Sequence, residues 1–252
     1  MKHLKTILIL ILLLHFSSHI FGQYQKADTI PPHRAIKFKY QSLIIPTVLI
    51  SYGVIGLESD QLKFINANIK EEFNEHIDEK FSIDDISQYT PFLSVYGLNA
   101  LGTKGKHNFK DRTIILGTAY LIMGATVGII KKTSNVERPD GTSKNSFPSG
   151  HTATAFMGAE FLYQEYKDIS PWYGIAGYVV ASGTGIFRMY NDRHWLTDVA
   201  AGAGIGMLST KIAYWVHPFM KKTFFNKKES MDAVVIPFYN GKQYGLGIAM
   251  TF

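Results

Sequence analysis

Residues 113–130 run for eighteen positions without a charge and stop at Lys131-Lys132. An α-helix needs about 20 apolar residues to cross a bilayer core. This stretch is therefore the best candidate in the chain for a membrane span. Further apolar segments occur at 152–163, 173–187 and 199–216, the first carrying Glu160 and the last Lys211. Together they predict an all-α helical bundle, membrane-embedded or membrane-associated. Ala201, Gly202, Gly204 and Gly206 in the last segment let neighbouring helices approach closely. The same run reads G-x-G-x-G, but no strand precedes it and it opens no βαβ unit, so packing and not dinucleotide binding explains it.

The flanking regions divide the chain. Residues 1–22 place Lys2 and Lys5 before an apolar run, the layout of a secretory signal peptide or an uncleaved N-terminal anchor; either would export the rest of the chain. Residues 23–90 hold a polar linker with Pro31-Pro32, an apolar segment at 43–57 interrupted by Pro46, and a charged amphipathic region at 58–89 expected to form surface or interfacial helices. Residues 91–216 form the predicted core. Residues 217–252 are basic, then alternate around Asn240-Gly241, the signal of a short C-terminal β-hairpin.

Composition narrows the chemistry. The chain has no cysteine, which excludes disulfides and thiol catalysis. Net charge is +6, or +4 once the two leader lysines are set aside, a balance suited to an anionic substrate or a membrane surface. No stripe of interleaved basic and aromatic residues supports nucleic-acid binding.

Three polar blocks stand at the mouths of the apolar segments. The first runs from Lys131 to Arg138-Pro139. The second is Pro148-Ser149-Gly150-His151, and the third spans Arg188, His194 and Asp198. Arg138 and Arg188 offer planar forks and Lys131 a point charge for the oxygens of a phosphoryl group. Ser149-Gly150 at a helix start adds a hydroxyl and free backbone N–H groups. His194 and Asp198, four apart on a predicted helix, would share a face, the carboxylate leaving one imidazole nitrogen free as a nucleophile. His151 is then available to protonate a leaving oxygen, with nearby anions raising its pKa. Singly, each block has a plainer reading: snorkelling lysines, an Arg-Pro-Asp-Gly turn, a capping histidine, a solvated helix entrance. Asp192, His194 and Asp198 are metal-type ligands, but Lys131, Arg138, Arg188 and Arg193 crowd them and would repel a cation. The site reads as one for an anion, with no metal and no cofactor.

The spacings K-x6-R-P, P-S-G-H and R-x5-H-x3-D resemble the signature of the type 2 phosphatidic acid phosphatase superfamily, which includes vanadium-dependent haloperoxidases and bacterial acid phosphatases. The resemblance covers roughly residues 91–216. It implies a helical bundle and metal-free phosphatase chemistry, with His194 forming a phosphohistidine, Asp198 orienting it and His151 acting as acid. Lys131, Arg138, Ser149, Gly150 and Arg188 would bind the phosphoryl oxygens. Phe187 departs from the pattern, which usually has Ser before this Arg.

Basic loops at 103–112 and 217–228 would be cytoplasmic by the positive-inside rule, which sends all three blocks to the exported side if segments 113–130, 152–163 and 173–187 cross in turn. The expected substrate is a lipid phosphate: phosphatidic acid, phosphatidylglycerophosphate, undecaprenyl pyrophosphate or a lipid A phosphate. The leader and tail resemble those of exported Gram-negative proteins, pointing to an inner membrane with the site facing the periplasm. The alternatives are a broad-specificity periplasmic acid phosphatase, a vanadate-dependent haloperoxidase and a non-enzymatic scaffold. Retention of every charged core residue weighs against the scaffold.

Overall fold

A computed structural model describes residues 39–75, 82–225, 232–239 and 244–251. The leader at 1–22 and all but the last residues of the linker lie outside the described residues. A 3-10 turn (Tyr40–Leu43) leads into α1 (Ile44–Ile55); α2 (Asp60–Glu75), α3 (Asp84–Ser87) and α4 (Thr90–Ala100) come next. The longer helices are α5 (Phe109–Ser134), α6 (Gly150–Tyr166), α7 (Pro171–Tyr190) and α8 (Leu196–Met220).

Local signals set the ends of these helices. Asn108 caps α5, its Oδ1 accepting from the Asp111 N–H at 2.8 Å. At the other end Asn135 takes the left-handed conformation at φ 48°, with Lys131 and Lys132 in the last turn where the helix dipole favours cations. Ser149 caps α6, and Ser170 with Pro171 starts α7. The expected apolar helix at 91–102 is α4, with Pro91 in its first turn.

α6 is the buried axis. Its neighbours are α4, α5, α7 and α8, and Ala153, Met157 and Phe161 contribute to one apolar core with Ile115, Ala119, Ile205 and Tyr214. The small residues of α8 act as expected, and on two faces. A Cβ on Gly202 would lie 2.4 Å from the Ser149 carbonyl oxygen, and one on Gly206 2.2 Å from that of Ala153, so both glycines admit the α6 backbone. Gly204 faces the other way, where a Cβ would meet the Pro46 carbonyl of α1 at 2.6 Å. The two charges that interrupt the apolar segments pair with each other: Lys211 Nζ donates to Glu160 Oε1 at 2.6 Å.

Membrane character is concentrated in one helix. The 26 residues of α5 span about 39 Å at 1.5 Å per residue, and only 22% of its most apolar window is buried. Among the described residues α5 alone is long and apolar enough to cross a bilayer; the Tyr40–Ile55 and Asp60–Phe73 helices pass only if counted together across a 93° bend. The expectation that 152–163 and 173–187 also cross is thus not met by length and composition. α6 has 17 residues and carries Glu160, Gln164 and Glu165, while α7 has Arg188 in its last turn and α8 holds Asp198 and Lys211.

Region 58–89 also differs from its expected surface role. α2 is amphipathic, but α3 turns inward and buries Asp84 to 1% exposure. Two tail segments, β1 (Asp232–Tyr239) and β2 (Tyr244–Thr251), pair antiparallel; residues 240–243, with the expected Asn240-Gly241 turn, lie outside the described residues.

Candidate active site

α5 and α7 end where α6 and α8 begin, so the three polar blocks meet at one end of the helices. Hydrogen bonds join their loops: Ser149 N donates to Asp198 O at 3.0 Å, Ser146 N to Val136 O at 2.9 Å and Asp140 N to Asp192 O at 3.1 Å. Asp192 sits at φ 53°, a left-handed conformation that Asp tolerates, and it turns the chain back so that the His194 N–H reaches Arg188 O at 3.2 Å.

His194 and Asp198 come together, for a different reason than their spacing suggested. His194 precedes α8. Trp195 is the N-cap, and Asp198 sits one turn in, accepting from the Trp195 N–H at 2.9 Å. The carboxylate is thus a helix-capping group that also meets the imidazole, with Asp198 Oδ2 3.5 Å from His194 Nδ1. Ser146 bridges the gap, its Oγ donating to Asp198 Oδ2 at 2.5 Å and lying 3.4 Å from His194 Nδ1. With Nδ1 on this side, Nε2 is the nitrogen left for chemistry. His194 is 3% exposed. Burial pushes its pKa down to about 4 against the opposing pull of Asp198, helped by Lys131 and Arg188 nearby, so the imidazole is neutral at pH 7.

The cations gather around this pair. Lys131 Nζ donates to the Asn145 and Ser146 carbonyls at 2.5 and 3.4 Å, and Arg138 Nε to Asn145 Oδ1 at 3.0 Å. Arg188 is buried; Nη1 donates to Asp84 Oδ2, while Nε has no acceptor among the described residues. The Ser149 hydroxyl is occupied as the α6 cap, accepting from Thr152 N at 3.4 Å and bonding Thr152 Oγ1 at 2.8 Å. Gly150 and His151 open the helix, with backbone N–H groups in its first turn.

A cavity of about 290 Å³ lies against Arg138, His151, Arg188 and Arg193, with Asp84 and Asp85 on its wall. His151 Nε2 lies 2.9 Å from Asp85 Oδ1. Contrary to expectation, the His151 pKa is lowered. Burial is the largest cause and Arg188 adds to it, while Asp85 and Asp84 pull upward without overcoming them. Ligand-type atoms of Asp84, Asp85 and His151 come within 4.8 Å of one another. However, Arg188 already neutralises Asp84, and Arg138 and Arg193 line the same cavity, a setting that repels a cation.

Asp84, Asp85 and Ser146 were not singled out from sequence. Asp84 and Asp85 fell inside a charged region read as surface. Ser146 lies two residues before Pro148, outside the P-S-G-H block. Phe187 lies in the last turns of α7, its ring 5.7 Å from that of Tyr190.

The helix ends thus gather Lys131, Arg138, Arg188 and two histidines in one region, with His151 on the cavity wall and His194 buried outside that lining. Residues 112–222, which hold all three blocks, match the family model of the PAP2 superfamily. It is 40% identical over 173 residues to a lipid A 1-phosphatase of Porphyromonas gingivalis, covering 64% of this chain and 38% of that protein. It is 33% identical over 100 residues to the bacitracin transport permease protein BcrC of Bacillus licheniformis, covering 38% of this chain and 46% of that protein. The chain thus spans less than half the length of either relative. A transmembrane PAP2 type phosphatidylglycerolphosphate phosphatase from Bacillus subtilis aligns over 75% of this chain and all of its own, at 18% identity and TM-score 0.46.

Proposed function

We propose that this protein is a membrane-bound phosphatase that hydrolyses a lipid phosphate monoester or pyrophosphate through a phosphohistidine. The observation that carries the reading is the buried, neutral His194, its Nδ1 turned to Ser146 and Asp198, at the end of the helices where Lys131, Arg138 and Arg188 converge. In this reading those cations and the Gly150 and His151 N–H groups hold the phosphoryl oxygens. His194 Nε2 attacks phosphorus, the bond to the leaving oxygen breaks, and His151 gives that oxygen its proton. A water then loses a proton to His151 and attacks phosphorus, the P–N bond breaks, and inorganic phosphate leaves with His194 restored. Asp198 orients His194 and stabilises the charge it carries as it attacks. No step requires a metal.

The substrate class is suggested by α5, long, apolar and largely exposed, beside a site for phosphate. The likeness to a lipid A 1-phosphatase favours a lipid A phosphate; phosphatidic acid, phosphatidylglycerophosphate and undecaprenyl pyrophosphate complete the panel. Loop charge favours a site on the exported face of a bacterial inner membrane, towards the periplasm. The C-terminal tail enters as a hairpin appendage, since two strands cannot close a barrel.

The test is phosphate release from that lipid panel by detergent-purified wild type and His194→Ala, each with EDTA. Release by wild type alone supports the metal-free histidine route, and the best substrate names the class. Equal rates for the two proteins would sink it. Cleavage of water-soluble esters only would replace the lipid substrate with a general acid-phosphatase role.

A further inference from the structure

We propose that Asp85 is a positioning residue of this site, a carboxylate that holds the His151 imidazole in place and favours its protonated form as the leaving-group acid. The inference rests on the phosphatase reading and deepens it.

α3 owes its position to tertiary contacts. Its four residues are too few to hold a helix by themselves. Side chains dock it instead. The buried Asp84 carboxylate accepts from Arg188 Nη1 and, at 2.9 Å, from Asn191 Nδ2. One turn on, Ser87 Oγ bonds Thr184 Oγ1 of α7 at 2.8 Å. Removing one partner from a buried ion pair leaves the other charge buried and uncompensated, so α3 is fixed against α7. The next residue, Asp85, is thereby presented at the cavity mouth with its side chain 60% exposed. Its Oδ1 stands 2.9 Å from His151 Nε2 and 3.9 Å from Arg188 Nη1.

The charges around His151 show what Asp85 contributes. Arg188 from α7 and Arg138 and Arg193 from the loops line the same cavity, and Lys131 ends α5 beside the site. All four oppose an imidazolium. Of the two facing carboxylates, Asp84 is committed to Arg188 and Asn191. Among the described residues Asp85 is the carboxylate bonded to His151. An acid that must carry a proton in a cationic pocket needs such a partner. The imidazolium has a proton on each ring nitrogen, one for Asp85 and one for the leaving oxygen.

One other role fits the same contact: the Asp85 carboxylate, near both His151 and Arg188, would mimic and compete with a phosphate oxygen. The experiment separates the two. Full-length wild type, Asp85→Asn, Asp85→Glu, His151→Ala and His194→Ala are compared in detergent across pH, on a lipid phosphate and on nitrophenyl phosphate, whose phenolate leaves without needing a proton. Asp85→Asn is expected to lower kcat on the lipid about tenfold with KM little changed, and to move the alkaline limb of kcat down by about one pH unit. The loss should shrink on the nitrophenyl ester, and Asp85→Glu should restore part of the rate. A lower KM or higher kcat/KM in Asp85→Asn would make the carboxylate a competitor and overturn the proposal. Equal losses on both esters with an unmoved alkaline limb would reduce Asp85 to a structural role. Wild type no faster than His194→Ala would overturn the phosphatase reading and this proposal with it, whereas a normal wild type with an indifferent Asp85→Asn overturns the proposal alone.

Discussion

The site holds two histidine–aspartate contacts that differ mainly in their access to water. His194 and Asp198 have side chains 2% and 1% exposed, with Ser146 Oγ between them. His151 and Asp85 meet at the cavity mouth with side chains 31% and 60% exposed. Burial penalises charge, so the inner imidazole stays neutral even beside a carboxylate, the state a nucleophile needs. The outer pair can exchange protons with water, which an acid that must be reloaded each turnover requires. One pairing chemistry, placed at two depths, suits two different tasks.

Removing the inner imidazole gives the largest break in that comparison. His194→Ala should lower phosphate release by about 10⁴-fold or more, since loss of a covalent nucleophile is among the costliest changes an enzyme site can undergo. Single-turnover assays should then detect no acid-labile phosphoenzyme in the variant and should detect one in wild type. Removing the outer imidazole should cost less, about 10²–10³-fold for His151→Ala on a lipid phosphate. If His151→Ala matched His194→Ala on a nitrophenyl ester too, the division of roles would fail.

The depth difference also predicts a pH signature. The His194 pKa in the folded protein, about 4, lies below its ordinary value of 6.5. The unfolded chain therefore binds the extra proton between these values, so this contribution to stability is present above pH 6.5 and is lost as pH falls towards 4. The lost stability is on the order of 3 kcal/mol. Melting temperatures of wild type should drop over that window more steeply than those of His194→Gln, and parallel curves would contradict a buried neutral imidazole. The smallest effect is expected from Ser146→Ala, which removes the bridging hydroxyl but neither member of the pair. A fall in kcat of about tenfold with KM unchanged would fit the loss of one buried hydrogen bond to a charged group. No change would mean that His194 and Asp198 communicate directly.

How far the sequence was legible varies from residue to residue. The three blocks were readable because each lies within a few positions of a helix end, and alternating helices bring every second end to one side. The Gly and Ala run of α8 was readable as packing because residue size is local information. His194 and Asp198 were paired correctly but for the wrong reason: spacing implied a helix face, whereas Trp195 caps α8 and Asp198 works inside the cap. Glu160 and Lys211 each stood out as a charge in an apolar segment, but their pairing needed α6 against α8. Asp84 and Asp85 gave no usable signal. Arg188 lies 104 positions from Asp84, and α3 is too short to show periodicity.

What the sequence determined by itself is the helical class of the molecule and the polar residues that stand at its helix ends. Uncharged runs dictate helices, and the polar residues at their ends cap and charge those ends, because both arise from forces that act over a few residues. What only the tertiary structure decided is the depth of each group and the identity of its distant partners. Depth sets whether an imidazole is neutral, and it arises from the packing of α6 among its neighbours. The outer carboxylate is delivered by a helix that the surrounding fold, and not its own four residues, holds in place.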